Sequence, residues 1–296
     1  MSRVKIISDS TCDLSPRLLA VWEISVLPLH IIMGSDVFTD GKDITADEIY
    51  KWADDNRTTP KTSAPTPAEA VLLMKPYLDD GYDLVCFSIS DSMSSSGNVM
   101  RMAAQELQAE DRVHVIDSMN LSTGVGLQVI EAAAAAKRGD NASEIETAAL
   151  ALRSSVRASF VVDTLTYLYR GGRCGGLSAL AGSVLHLHPK IIVENGAMKA
   201  DKKYRGSKMS RVILQYAGDM EQELLNARPD RVFITHSGVS GETIEEVKNY
   251  LHSLHHFKEI LVTRAGGVIT SHCGPGTLGV LFIADQQQSL TPAAPF

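Results

Sequence analysis

Hydroxyl side chains crowd one short stretch of this chain, where the apolar run Leu84-Val85-Cys86-Phe87 opens into Ser88-Ile89-Ser90-Asp91-Ser92-Met93-Ser94-Ser95-Ser96-Gly97-Asn98. Val99 to Leu107 reads as a helix, so the serines fall at a strand-to-helix turn beside N–H groups with no partner inside the helix. That arrangement favours an anion. No Lys occupies the phosphate-loop position, so the stretch is not a nucleotide-binding loop, which needs Gly-Lys-Ser/Thr there. One serine suffices to cap the helix, and a binding role for the rest depends on polar groups supplied elsewhere.

Other segments carry chemistry of their own. His272, in His272-Cys273-Gly274-Pro275-Gly276, is expected in a rigid Gly/Pro turn at a strand start, where its imidazole would donate to a carboxylate. The Gly-x-Gly-x-x-Gly match at Gly274 to Gly279 precedes a strand near the chain end and lacks the following helix and acidic residue of a dinucleotide site. His186-Leu187-His188 would set two imidazoles on one side of an extended chain, but without a suitably spaced Asp, Glu or Cys to complete a metal site. His255-His256 reads as a solvated helix end. Serines, His272 and Asp9 are the parts of a serine hydrolase, yet no Gly-x-Ser-x-Gly elbow occurs. Arg170-Gly171-Gly172-Arg173 puts two guanidinium groups on a turn, a grip for carboxylate or phosphate.

The elements that must position these residues alternate. In the first half, apolar runs at Val4 to Ile7, Ser25 to Ile32, Leu84 to Ile89 and Val113 to Ile116 are interleaved with helical patterns. The helices read as Ala46 to Asn56, Pro67 to Asp79, Met100 to Ala109 and Gly124 to Lys137. That order predicts an α/β fold with a mainly parallel sheet, whose carboxyl rim would gather Ser8-Asp9-Ser10-Thr11, Ser90 to Ser96 and Asp117 to Asn120. Asn141 and Glu144 form a capping box for a helix over Ala142 to Ser155. Five further strands, at Phe160 to Val162, Lys190 to Val193, Arg231 to Thr235, Glu259 to Val262 and Thr277 to Ala284, predict a second α/β domain. The intervening helices read as Leu177 to Leu185, Lys208 to Leu225 and Gly241 to Leu254. The expected division is 1–159, 160–285 and a tail at 286–296 broken by Pro292 and Pro295.

At 296 residues there is room for two cores. Twenty-eight basic against 35 acidic residues give a net charge of −7 with no basic block, which excludes nucleic acid as the main partner. No signal-peptide core and no bilayer-length apolar run occur, so a cytoplasmic protein without a transmembrane segment is expected. Cys12, Cys86, Cys174 and Cys273 form no Cys-x-x-Cys pair and read as reduced thiols.

Taken together the segments resemble the DegV family of bacterial fatty-acid-binding proteins over nearly the whole chain. The resemblance rests on Ser8-Asp9-Ser10-Thr11-Cys12-Asp13-Leu14, Thr62-Ser63-Ala64-Pro65-Thr66, Ile89 to Ser96 and Asp117-Ser118 in the first half. In the second it rests on Tyr167 to Arg173, Lys190, Gly196, Arg205 and His272 to Gly276 leading into Leu278-Gly279-Val280. It implies two α/β domains with a long-chain fatty acid held between them and no other cofactor. Carried onto this sequence, the carboxylate clamp would be Thr62, Ser94 and His272 with Ser63 and Ser96 as neighbours. Neutral hydroxyls satisfy a carboxylate without a permanent buried countercharge, so the ligand stays releasable. The resemblance also implies a non-catalytic carrier that presents the acid to a separate fatty acid kinase, giving an acyl phosphate for phospholipid synthesis, with Arg173 and Arg205 facing the kinase or the new phosphate. The alternatives are a serine esterase or acyl hydrolase using Ser94 and His272, and a lipid-sensing regulatory module. Where the family usually reads Leu-Ser-Gly-Thr-Tyr, this chain reads Met93-Ser94-Ser95-Ser96-Gly97, so Ser95 and Gly97 are where a ligand preference of its own would arise.

Overall fold

The computed structural model describes residues 3–173 and 187–285. Cys174, His186, the helix expected over Leu177 to Leu185 and the expected tail lie outside the described residues.

The first sheet is parallel throughout, in the order β2-β1-β6-β7, from β1 (Arg3–Asp9), β2 (Ser25–Leu27), β6 (Tyr82–Ser88) and β7 (Val113–Asp117). The apolar run of β6 is continuous because both faces are covered. Leu84 and Cys86 join one core with Met74, Met100 and Ala103, while Val85 and Phe87 face another with Val129 and Ile130. A small antiparallel sheet, β4-β3-β5, is built from β3 (His30–Met33), β4 (Asp36–Thr39) and β5 (Lys61–Ser63). The single strand expected over Ser25 to Ile32 is therefore two strands in different sheets. Pro28 lies in the gap, and without an N–H it cannot carry a ladder through.

The first-half helices are α1 (Pro16–Val21), α2 (Ala46–Asn56), α3 (Pro67–Asp79), α4 (Ser96–Glu106), α5 (Thr123–Arg138) and α6 (Ala142–Leu152). Reciprocal capping boxes start three of them: Thr45 with Glu48, Thr66 with Glu69, and the anticipated Asn141 with Glu144. Helix α5 ends on Gly139, whose φ of 96° only glycine adopts without strain.

The second sheet runs β10-β9-β8-β13-β11-β12, through β8 (Val156–Val161), β9 (Leu187–Glu194), β10 (Ala197–Arg205), β11 (Ala227–Ser237), β12 (Glu259–Arg264) and β13 (Thr277–Ala284). Only β11 and β12 pair in parallel. Around it lie α7 (Thr166–Arg170), α8 (Met209–Asp219), α9 (Glu221–Leu225), α10 (Gly241–Ser253) and α11 (Gly267–Cys273). The helix expected over Lys208 to Leu225 breaks at Met220 into α8 and α9.

Two features position the site. Helix α5 lies between the sheets, so Ile6, Val85 and Phe87 of the first share one core with Ala158, Phe233 and Leu281 of the second. Helix α11, though late in the chain, is buried against the first half, with Val268 packed among Leu29, Ile31 and Ile49.

Candidate functional site

Strand β5 is three residues long, and its alternation leaves Thr62 half-buried between the exposed Lys61 and Ser63. Its register on β3, Thr62 opposite Ile31, fixes where that hydroxyl sits. Across from it, His272 stands in the last turn of α11 and not in a turn at a strand start, as its flanking glycines suggest. The Gly274-Pro275-Gly276 turn follows the helix and leads into β13. Thr62 Oγ1 and His272 Nε2 are 2.8 Å apart, joining residues 210 positions distant in sequence.

The imidazole is 8% exposed, and its Nδ1 has no hydrogen-bond partner among the described residues. Burial, with the charge of Arg173 adding, lowers its pKa to about 4, so the ring is neutral at physiological pH. The 170–173 turn closes over it so tightly that a Cβ on Gly171 would lie 2.2 Å from Nδ1. Only glycine fits there.

The hydroxyl loop after β6 supplies the opposite wall. Ser90 and Ser92 both donate to the Gly196 carbonyl at the β9–β10 hairpin, at 2.7 and 2.5 Å. Ser94 lines the cleft, and its Oγ accepts from Ser96 N–H at 3.3 Å, so this serine also serves as a helix-start acceptor. Ser96 turns the other way: it is fully buried and donates to Asp9 Oδ2 at 2.5 Å. Gly97 does not line the cleft either. A Cβ there would sit 2.7 Å from Ser88 Oγ, which leaves no room for the aromatic residue usual at this position.

Arg173 faces inward. Its guanidinium donates to Gly171 O at 2.8 Å and Met93 O at 3.2 Å, and it lines the same cleft. Arg205, at the end of β10 opposite Leu187, is exposed and outside the lining. The structure thus gathers Thr62, Ser63, Ser94, His272 and Arg173 at one cleft and leaves Ser96 and Arg205 out of it. The remaining wall is apolar, with Leu29, Ile89, Met93, Leu168, Met198 and Val268 around about 510 Å³ of space partly open to solvent. A second space of about 340 Å³, likewise partly open to solvent, shares Leu121, Ile269 and Cys273 with its lining and is bounded further on by Phe160 and Leu281. Hydroxyls, a neutral imidazole and a guanidinium at one end, with carbon beyond, suit an amphiphile with an anionic head.

Three acids sit behind this cleft, of which the sequence reading singled out only Asp9, as the orienter of a hydrolase triad. Asp9 touches no imidazole; it accepts from Thr11, Ile89 N–H and Ser96. Burial raises the pKa of both Asp9 and Asp40. For Asp13, burial outweighs the bonds from Ser122 and Gly266 and, with the nearby charges of Asp40 and Asp9, pushes it up to about 8. The buried thiols Cys12, Cys86 and Cys273 are pushed up to about 12 by the same desolvation and stay protonated. His188 spends its ring nitrogens on the carbonyls of Asp163 and Gly206. Among the described residues no group of three or more His, Cys, Asp or Glu is placed to hold a metal ion, and no helix is long and apolar enough to cross a membrane.

Comparison with known proteins covers nearly the whole length. The family model described as "Uncharacterised protein, DegV family" matches residues 3–285. A DegV domain-containing protein of Deinococcus radiodurans is 30% identical, over 94% of this chain and 97% of the relative. Among solved structures, a fatty-acid-binding DegV family protein from Thermus thermophilus is similar with a TM-score of 0.87 and 27% identity, covering 96% of this chain and all of the other. A stearic-acid-binding protein from Eubacterium ventriosum gives a TM-score of 0.81 at 26% identity, over 95% of this chain and 98% of the other.

Proposed function

The chain belongs to the DegV family, and from that premise we propose that it is a carrier for a long-chain fatty acid. The observation that carries this reading is the neutral pair of half-buried Thr62 and buried His272, set beside Ser94 and Arg173 at the polar end of an otherwise apolar cleft. In the bound state, the hydroxyls of Thr62 and Ser94 donate to the carboxylate and His272 offers a ring N–H. Arg173, already held by Gly171 and Met93, supplies the positive charge. The acyl chain lies along Leu168, Met198 and Ile269 toward the second space. At about 0.8 kcal/mol per methylene, a tail of about 15 methylenes gains about 12 kcal/mol from leaving water, ample to offset its ordering. Fatty acids bound by the Thermus and Eubacterium relatives support the choice of ligand.

The carrier itself performs no chemistry in this reading. It presents the acid to a separate fatty acid kinase, on which a carboxylate oxygen displaces ADP from the γ-phosphorus of ATP to give an acyl phosphate for phospholipid synthesis. Arg205 lies on the exposed edge strand β10, where a protein partner has access, and is our candidate for the kinase contact. A serine hydrolase is less well supported, because His272 Nε2 is paired with Thr62 and, among the described residues, its Nδ1 meets no orienting acceptor that would activate it as a base for Ser94.

Denaturing mass spectrometry of the purified protein tests the proposal: a co-purified long-chain fatty acid is expected. No bound acid, together with no uptake when one is offered to the folded protein, would refute it. Labelling of a single serine by a reactive phosphonate would favour the hydrolase instead, and ligand-dependent partner binding without acyl-phosphate formation would favour a sensor.

A further inference from the structure

Behind the cleft, the first half of the chain reaches both of its walls with buried carboxyl groups. Asp13 Oδ1 accepts from Gly266 N–H at 2.8 Å and Asp40 Oδ1 from Gly267 N–H at 2.7 Å. These are the N-cap and first residue of α11, the helix that carries His272 in its last turn. A helix of seven residues has few internal bonds, and its leading N–H groups have no partners within it, so its placement depends on what caps it. Each acid is itself held from behind, Asp13 by Ser122 Oγ at 2.5 Å and Asp40 by Ser10 Oγ at 2.7 Å. The approach is close: a Cβ on Gly266 would fall 3.1 Å from Asp13 Oδ1, and one on Gly267 would fall 3.1 Å from Asp40 Oδ1. The other wall is fixed in the same way. Asp9, on the same strand end, takes Ile89 N–H at 2.9 Å and Ser96 Oγ at 2.5 Å, the two points that bracket the loop bearing Ser94.

We propose that Asp9, Asp13 and Asp40 are positioning residues: a buried crossbar that sets the separation of His272 on one wall and Ser94 on the other. The inference rests on the reading of the cleft as a carboxylate clamp. It gives the hydroxyl- and acid-rich strand end Ser8 to Asp13 a role that is neither ligand contact nor catalysis. Three desolvated acids in one place are a poor way to stabilise a fold, since an apolar core of the same volume does that without burying polar atoms. What carboxyl groups add is direction. Each has two oxygens in a plane, one for the wall and one for its own support.

The test reads His272 directly and needs no lipid. In the full-length protein with labelled histidine, NMR titration is expected to place the His272 midpoint near 4, with the signal assigned by its loss in His272→Gln. In Asp40→Ala, α11 loses its anchor, and the midpoint should move up toward the ordinary 6.5 by about one pH unit or more. In Asp40→Asn, whose amide oxygen still accepts from Gly267 N–H, it should stay near the parent value. An unchanged midpoint in folded Asp40→Ala would overturn the proposal, as would equal shifts in the Ala and Asn variants. Should Asp40→Ala fail to fold, Ser10→Ala removes the support behind Asp40 and is read the same way, an upward shift supporting and no shift overturning. For the other wall, Ser96→Ala is expected to leave the His272 midpoint in place while speeding release of a preloaded fatty acid about fivefold. Release at the parent rate would overturn the role given to Asp9. If the NMR shifts appear but no variant or parent protein holds a fatty acid, the crossbar stands and the carrier reading falls.

Discussion

Replacing Thr62 by Val keeps the volume and β-branching of a half-buried strand residue and deletes one hydroxyl. Two losses follow. In the ligand-free protein His272 Nε2 loses its partner, and since Nδ1 has none among the described residues, both nitrogens of the buried ring are left without a partner there. Leaving such a group unsatisfied costs about 2 kcal/mol, which for a chain of this size lowers Tm by about 3 °C. In the complex a hydrogen bond to a charged carboxylate disappears, worth about 2 kcal/mol or about 30-fold in Kd. His272 already donates its one N–H to the carboxylate in the parent complex, so nothing replaces the lost bond and about 30-fold weaker binding is the expected result. Calorimetric titration of delipidated protein at pH 7 measures it, repeated in buffers of different ionisation enthalpy to separate any proton taken up by His272 beside the carboxylate. Thr62→Ser, which retains the hydroxyl, should bind within about twofold of the parent. Parent-like affinity in folded Thr62→Val, or equal losses in the Val and Ser variants, would refute the assignment of this hydroxyl to the carboxylate.

The folded pKa of His272, about 4, lies below the ordinary 6.5, so as pH falls from 6.5 toward 4 the unfolded chain takes up a proton that the folded chain refuses. Stability should drop by about 3 kcal/mol from this group across that window, read as the difference in urea midpoints between the parent and His272→Gln, which lacks the component. Asp13 works in the opposite sense: its folded value of about 8 exceeds the ordinary 3.8, so its contribution falls as pH rises between them. Asp13→Asn should therefore gain stability relative to the parent as pH rises from 4 to 8, and a flat difference in denaturant midpoints would contradict it. Gly171→Ala drives a methyl into His272 Nδ1 and should destabilise by about 2 kcal/mol while weakening fatty-acid retention; parent-like thermal unfolding would show the turn to be looser than described. Arg173→Ala should lower both retention and phosphorylation by the kinase, because the guanidinium lines the cleft, whereas Arg205→Ala should lower phosphorylation alone. Equal behaviour of the two variants in paired binding and acyl-phosphate assays would remove that distinction.

How much of this was legible in the sequence depended on whether the signal was local. Helices α2 and α3 stand where their patterns put them because each begins with a capping residue and Glu three positions into the helix, a pairing within one turn. Strand β13 was equally plain, bounded by a Gly/Pro turn and continuously apolar. Helix α11 was not, because it is short, buried on all sides and opened by Gly266 and Gly267, so it shows no polar face and no hydrophobic stripe. Its anchors, Asp13 and Asp40, are more than two hundred residues away in sequence. Thr62 and His272 could be singled out but not joined by any spacing rule, since β5 and α11 meet only through the tertiary fold. Ser94 and Ser96 look interchangeable as letters. One turn of backbone at the start of α4 sends the first to the cleft and the second to Asp9.

In the proposed carrier, the placement of α5 bears on how a lipid gets in. Its side chains pack against β1 and β6 of one sheet and against β8 and β13 of the other, so swinging the sheets apart would bare a whole helix flank to water. Apolar surface of that extent carries a penalty of many kcal/mol, far above the thermal energy that drives ordinary exchange. In the proposed carrier, uptake and release are then expected where the loop of Ser90 to Ser95 meets the turn of Arg170 to Arg173, a seam that the Arg173–Met93 bond bridges among the described residues. For such a carrier, uptake and discharge become a matter of parting one loop from one turn while the two sheets stay joined through α5.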